Sequence, residues 1–396
     1  MPLPQLFLNP QADRRIKKGH LWVFSNEVDV QRSPLKNLQP GDLVTVHSAQ
    51  GHPLGTAFIN PKALICGRLL SRHTDFPINQ AFFARAIKRA LHLRETCFDQ
   101  PYYRLVYGDS DGLPGLVVDR FGDYLVVQMS VAGLDKLQDG VLAALQQVIV
   151  PKGIILRNNH SARELEGLPE EVRLIGEIPD RLPVVENGVR FEVLATEGQK
   201  TGWFYDHRIN RQLLANWVRG KRVLDVFCYA GGWGIQAVAG GASAAVCVDA
   251  SASAIAQVQA NAALNQFTEK VSTIKGKAVD VLKQLLADGE KFDVVVLDPP
   301  AFIKKRKDQK AGEAAYRHLN ELAIRLLGKE GLLVSASCSM PLTNEILMDI
   351  VRGAARHNDR HAQLLFTGGQ GPDHPVHPAI PETHYLKAQF YRIYSD

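Results

Sequence analysis

A chain of 396 residues with 45% hydrophobic content is long enough for two or three domains with packed cores, which excludes a largely disordered protein. Its formal net charge of +5 is gathered toward the start, where residues 1–70 hold eight Lys or Arg against four acids. That imbalance suits a polyanionic partner, and equally a solvated charged face. The sequence opens without a basic region leading into an apolar one, and no run approaches ~18 apolar residues. Neither a secretory signal nor a membrane span is therefore expected. Five widely spaced cysteines without a CxxC pair predict reduced thiols in a cytoplasmic protein, with no disulfide framework and no metal site.

In chain order, short strands are expected at 21–23, 43–47, 54–59 and 64–70, with turns at Pro40-Gly41-Asp42 and Gly51-His52-Pro53 between them. Close spacing and turn signals predict a small β-barrel over residues 1–72. The stretch from Asp13 to His20 reads as a short basic helix or loop packed against it. Residues 73–185 read as a small α+β domain. Its elements are a helix over 82–96, strands at 105–107, 116–119 and 124–129, a helix over 134–150 and a strand at 153–157. Residues 186–396 alternate strand and helix. Strands are predicted at 222–227, 244–248, 271–275, 292–297 and 332–337, and helices at 252–265, 279–287, 314–327 and 344–355. Continuous apolar strands between helices predict a parallel, Rossmann-like α/β sheet covered on both faces, with 363–366 and 386–394 as an antiparallel edge.

The first strand of that domain runs into Leu-Asp-Val-Phe-Cys-Tyr-Ala-Gly-Gly-Trp-Gly, Leu224 to Gly234. A glycine-rich turn after strand one lets backbone approach a ligand at the carboxyl ends of the strands. The acid Asp225 comes first and the glycines stand further on, where a dinucleotide fingerprint would place them hard against the strand. A carboxylate there repels a pyrophosphate and suits the amino group of a methionine moiety. Asp249 ends the second strand, where an acid can accept from both ribose hydroxyls, and Asp280 follows the third, within reach of an adenine amino group. Helix caps would also account for Asp249 and Asp280. The set fits S-adenosylmethionine better than a diphosphate.

The fourth strand ends in Asp298-Pro299-Pro300, a stiff, acceptor-rich rim that can hold a planar base; a simple strand-ending turn is the plainer reading. Lys304, Lys305, Arg306 and Lys307 follow, suited to gripping phosphates or to lying solvated. Cys338 stands at the carboxyl end of the next strand. Lone cysteines are usually small buried hydrophobes. A thiolate is nevertheless what carbon-5 methylation of a pyrimidine requires: addition at carbon 6 makes carbon 5 nucleophilic. Asp298 would hold the base or, when protonated, assist at the ring nitrogen.

Several motifs together resemble the bacterial large-subunit rRNA (cytosine-C5) methyltransferase I family. They are Ala12 to Asn26, Gly198 to Arg208, Asp225 to Gly234, Asp298-Pro299-Pro300, Ser337-Cys338-Ser339, Asp373 to Val376 and Tyr385 to Lys387. The resemblance implies a PUA-type RNA-binding barrel, a central α+β domain and a Rossmann-like class I methyltransferase domain. It implies Cys338 as nucleophile, with Asp298 beside it, and a cofactor site lined by Asp225, Tyr229, Gly231, Gly232, Asp249, Asp280 and Asp298. Residues 201–208 would fold over the cofactor, with Phe204, Asp206 and Arg208 contributing. The implied substrate is a cytosine in 23S rRNA, with no DNA or membrane partner. RNA contacts are expected at Arg14, Arg15, Lys17, Lys18 and His20, and at Lys304 to Lys307. Ala301 departs from the lysine expected after the double proline. Rival readings are amino methylation of a purine, which needs no thiol, a tRNA or mRNA target, a non-catalytic RNA-binding protein with a degenerate fold and, furthest off, a nicotinamide oxidoreductase.

Overall fold

A computed structural model describes residues 2–196 and 201–396. Gly198, Gln199 and Lys200 of the motif before the last domain lie outside the described residues. The chain forms two compact units.

The first unit comprises residues 2–180 with Thr201 and Pro372–Thr383. It opens with a five-stranded sheet ordered Gln5–Phe7, Asp42–His47, Pro53–Ile59, Ile65–Ser71, Trp22–Phe24. Leu6, Val23, Val44, Val46, Ala57, Ile59, Cys66 and Leu69 gather in one apolar cluster. The strand Gln5–Phe7, beside Pro2 and Pro4, is an element that periodicity does not announce. Asp13–Lys17 forms one helical turn against this sheet. The second sheet runs Val172–Gly176, Gly153–Arg157, Tyr124–Met129, Leu116–Phe121, Tyr102–Tyr107. Helix Gln80–Cys97 packs beside helix Gln138–Ile149. The single helix expected over 134–150 is two, Ala132–Lys136 and Gln138–Ile149, broken at Leu137 (φ −107°, ψ 18°). Residues 372–383 join this unit through charge and backbone. Arg94 grips Asp111 with both Nη atoms (2.7 and 2.8 Å) and donates to the Asp373 carbonyl, while the Asp373 carboxylate takes the Arg104 N–H.

The second unit comprises residues 181–196, Gly202–Gly371 and His384–Asp396. A hairpin, Arg181–Glu186 with Val189–Leu194, precedes a seven-stranded sheet. The strands of that sheet are labelled here in chain order: β1 Arg222–Val226, β2 Ala244–Asp249, β3 Val271–Lys275, β4 Phe292–Leu297, β5 Leu327–Ser337, β6 His361–Gly368 and β7 Lys387–Tyr394. Their order is β3-β2-β1-β4-β5-β7-β6, parallel from β3 to β5, with β7 antiparallel to both β5 and β6. The expected antiparallel edge is therefore present, as two eight-residue strands. Val294, Val295, Val296 and Leu297 are all buried because helices cover both faces. Strand order reverses between β1 and β4, and in open α/β sheets that switch point is where ligands sit, beyond the carboxyl ends of the strands. Among the described residues no helix is long and apolar enough to cross a membrane.

Candidate active site

The loop after β1 is held in a strained shape by its surroundings. Phe227 and Tyr229 have positive φ (67° and 47°), a left-handed conformation that non-glycine residues adopt at a cost. Backbone bonds offset that cost: the N–H groups of Phe227 and Cys228 both donate to the Val248 carbonyl (2.9 and 3.0 Å). Gly231 (φ 85°) then turns the chain into helix Gly232–Ala239. A Cβ at Gly234 would stand 2.5 Å from Cys247 Sγ, so the helix rides directly on β2.

Asp225 is not open to solvent. It is fully buried, and its Oδ2 accepts the Gly234 N–H at 2.9 Å. Its Oδ1 has no hydrogen-bond partner among the described residues. Burial chiefly, with the nearby charges of Asp298 and Asp249, pushes this carboxyl up to about 7. Asp249 is half-buried and reaches the loop: Tyr229 N donates to its Oδ2 (3.1 Å) and Ser251 N to its Oδ1 (2.8 Å). The cap of helix Ala252–Leu264 is Ser251, which leaves Asp249 for the loop. Asp280 lies exposed in the first turn of helix Ala278–Ala287, where Lys277 is the cap.

Residues 202–208 fold against the loop. Tyr229 Oη donates to the Gly202 carbonyl (3.0 Å), and the Phe204 ring meets the Tyr229 ring edge-on at 5.3 Å. Asp206 is buried and accepts from Tyr385 Oη at 2.5 Å. Arg208 is turned inward, its Nε 3.6 Å from Glu186 Oε2 and its guanidinium over the Tyr205 ring. Glu186 is fully engaged with Arg211, Trp203 and Gln236 besides. Despite burial, Arg211 and Arg208 hold its carboxyl below the usual range. Nothing in its local sequence marks Glu186 as the centre of this network.

Asp298, just past β4, is half-buried. Trp233 Nε1 donates to its Oδ2 (3.0 Å), and His207 Nε2 lies 3.2 Å from its Oδ1. Asn210 Nδ2 donates to the Gly369 carbonyl and faces His207 Nδ1 at 3.2 Å. That contact orients the imidazole so that its Nε2 edge faces Asp298. Burial pushes the Asp298 carboxyl up, but His207 and the Trp233 donor outweigh it, so the group stays below the ordinary carboxylate range. Sequence reasoning missed His207 and Trp233; their only signal was that each lies inside a quoted motif.

Cys338 follows β5, which lies beside β4 in the sheet (Leu297 opposite Ser335). Its thiol is reduced and half-buried. Both flanks are pinned. Tyr316 Oη shares hydrogen bonds with Ser337 Oγ (2.8 Å) and Ser339 Oγ (3.0 Å), and Ile303 N donates to Ser339 Oγ (3.2 Å). Lys387, buried on β7, donates to the carbonyls of Ser339 (2.6 Å) and Tyr385 (2.7 Å).

Of the basic segments, Lys304 to Lys307 are all exposed. The N-terminal segment is partly consumed. Arg15 pairs with Glu27 (2.7 Å) and lies over Phe24, Lys17 pairs with Asp13 (2.5 Å), and His20 Nδ1 accepts from Trp22 N (3.0 Å). Arg14 and Lys18 are exposed.

The strand order, the glycine loop at the switch point and the row of strand-end acids define the class I S-adenosylmethionine-dependent methyltransferase fold. Residues 159–361 match the family model of the S-adenosylmethionine-dependent methyltransferases, and residues 6–72 that of the PUA-like domain. The solved structure of SMU.776 complexed with SAH shares the fold at TM-score 0.83, with 22% identity, covering 98% of this chain and all of that one. Relatives named ribosomal RNA large subunit methyltransferase I are 34% identical to this chain. The one from Tolumonas auensis matches over 389 residues (96% of this chain, 97% of that protein), and the one from Serratia proteamaculans over 396 (98% and 99%). The chain belongs to the ribosomal RNA large subunit methyltransferase I family.

Proposed function

We propose that the protein forms 5-methylcytidine in the RNA of the large ribosomal subunit, 23S rRNA, with Cys338 as nucleophile. The observation that carries this reading is the placement of a reduced, half-buried thiol at the end of β5, one strand over from the ionised Asp298. The site also suits S-adenosylmethionine. Asp225, Asp249 and Asp298 concentrate negative charge where β1, β2 and β4 end, and among the described residues Asp225 keeps one buried oxygen without a partner. A cation relieves both conditions. Asp249 would hold the ribose, Tyr229, Gly231 and Gly232 the loop face, and Phe204 with Asp206 the cover; Asp280, exposed in the first turn of helix Ala278–Ala287, would meet the adenine amino group. Asp225 acts through its charge and its grip on Gly234. Arg208 contributes through Glu186 and Tyr205, at one remove from the ligand.

S-adenosylmethionine, when bound, supplies the electrophilic sulfonium methyl that carbon 5 takes. The Cys338 sulfur bonds to carbon 6 and makes carbon 5 nucleophilic, and it leaves again once the carbon-5 proton has gone to a base. The ionised Asp298 accepts a hydrogen bond, which matches the exocyclic amino group of cytosine better than the ring nitrogen. Lys304 to Lys307, with Arg14 and Lys18, would grip RNA phosphates, so affinity falls steeply with salt. A target base in folded RNA has to be flipped out to reach the thiol. Acting on ribosomal RNA, the protein would work in the cytoplasm.

The test is methyl transfer to rRNA lacking its native methylations, followed by nucleoside identification, for wild type and Cys338→Ala. Label in 5-methylcytidine that the substitution abolishes is the expected result. Label in a methylated purine that survives it would move the activity to amino methylation. No cofactor binding at all would leave a non-catalytic RNA-binding protein.

A further inference from the structure

The sheet brings a buried cation to the thiol, and methyl transfer itself gives that cation no task. Lys387 begins β7 and stands directly opposite Ser337 in the antiparallel register with β5, one residue from Cys338. It is buried, with 5% of its surface exposed. A lysine ammonium has three donors, and two are fixed on the carbonyls of Ser339, next to Cys338, and Tyr385, two residues before Lys387 itself. The head group is therefore anchored to the turn that carries the thiol. A buried ammonium is costly to keep: desolvation lowers Lys387 to about 8, and the charge of Cys338 acts in the opposite direction. The same Coulomb energy acts on both partners, so a cation favoured by the thiolate favours the thiolate in return. Tyr316, on helix Gln309–Leu326, is a further titratable group coupled to Cys338; burial pushes its hydroxyl up, so it remains neutral at working pH. Lys387 thus supplies positive charge, while Tyr316 and the two serines supply position.

We propose that Lys387 is the positioning residue whose ammonium stabilises the Cys338 thiolate for addition to the base. This rests on the reading of Cys338 as nucleophile, but its test does not depend on methyl transfer. The rate of Cys338 alkylation by iodoacetamide would be followed across pH by peptide mass spectrometry, which separates it from the other four cysteines. Full-length wild type, Lys387→Gln, Lys387→Met and Lys387→Arg would be compared. Glutamine keeps donors for the two carbonyls and lacks the charge, so it covers the case in which methionine fails to fold; melting curves identify such a failure. In both neutral variants the alkylation profile is expected to move up by about one pH unit, slowing the reaction about tenfold at pH 7. Arginine should keep the profile within about 0.3 unit of wild type. An unchanged profile in a folded Lys387→Gln protein overturns the proposal. If instead the profile shifts while Cys338→Ala still methylates cytosine, the thiolate–lysine coupling stands and the nucleophile reading falls.

Discussion

Asp225 and Asp298 occupy the same kind of position, an aspartate at the carboxyl end of a parallel strand beside the switch point, and the fold treats them oppositely. Asp225 is sealed under the glycine loop, with one N–H on one oxygen, and its carboxyl rises to about 7. Asp298 is half-open, meets Trp233 and His207 on separate oxygens, and its carboxyl falls below the ordinary range. The lesson is that a strand-end acid acquires its chemistry from the donors that reach it. Asp225 fastens the loop, and Asp298 keeps an ionised carboxylate just past the strand.

That contrast is broken most directly at Asp298. Asp298→Asn should lower the methyl-transfer rate by about 10²–10³-fold while leaving the melting temperature nearly unchanged, as single-turnover assays and calorimetry would show. A rate within a few-fold of wild type would demote Asp298 to a loop-ending residue. Asp225→Asn should weaken S-adenosylhomocysteine binding about tenfold at pH 8, measured by calorimetry. It also carries a stability signature. With a folded value of about 7 against roughly 4 when unfolded, the native state binds the extra proton between those limits, so wild-type stability falls as pH rises from about 4 to about 7. The asparagine variant should lack that fall, and its melting temperature should gain on wild type above pH 7 and lose the gain near pH 4. Removing His207 sharpens the other side. His207→Ala takes away the largest influence holding Asp298 low, so the acid limb of the pH–rate profile should move up, and the rate loss should be larger at acid pH than above neutrality. The smallest effect is expected for Trp233→Phe, which removes one donor and keeps most of the ring: a few-fold loss in rate and a smaller upward shift of the same limb.

Much of the architecture was readable because it depends on local periodicity. Fully apolar runs such as 294–297 have no solvated face, and that alone requires a sheet covered on both sides. The Gly231-Gly232-x-Gly234 spacing announces a tight turn onto a helix, and a Cβ at Gly234 would indeed meet Cys247. Short or composition-poor strands escaped, among them Gln5–Phe7, Val172–Gly176 and the hairpin at 181–194, because three to six residues carry too little period. The basic N-terminal segment was legible as charge, but whether a cation is available was not: Arg15 is spent on Glu27, twelve residues away.

By itself the sequence determined which residue types stand at the ends of which strands, since a strand's end is a local matter of apolar run and breaker. Which side chains from distant segments meet those residues was decided only in three dimensions. His207 and Trp233 reach Asp298 across 91 and 65 positions, and Lys387 reaches the carbonyl of Ser339 across 48. Burial and partner charge set the protonation of a carboxylate or thiol, and both are properties of the packed sheet rather than of any stretch of chain.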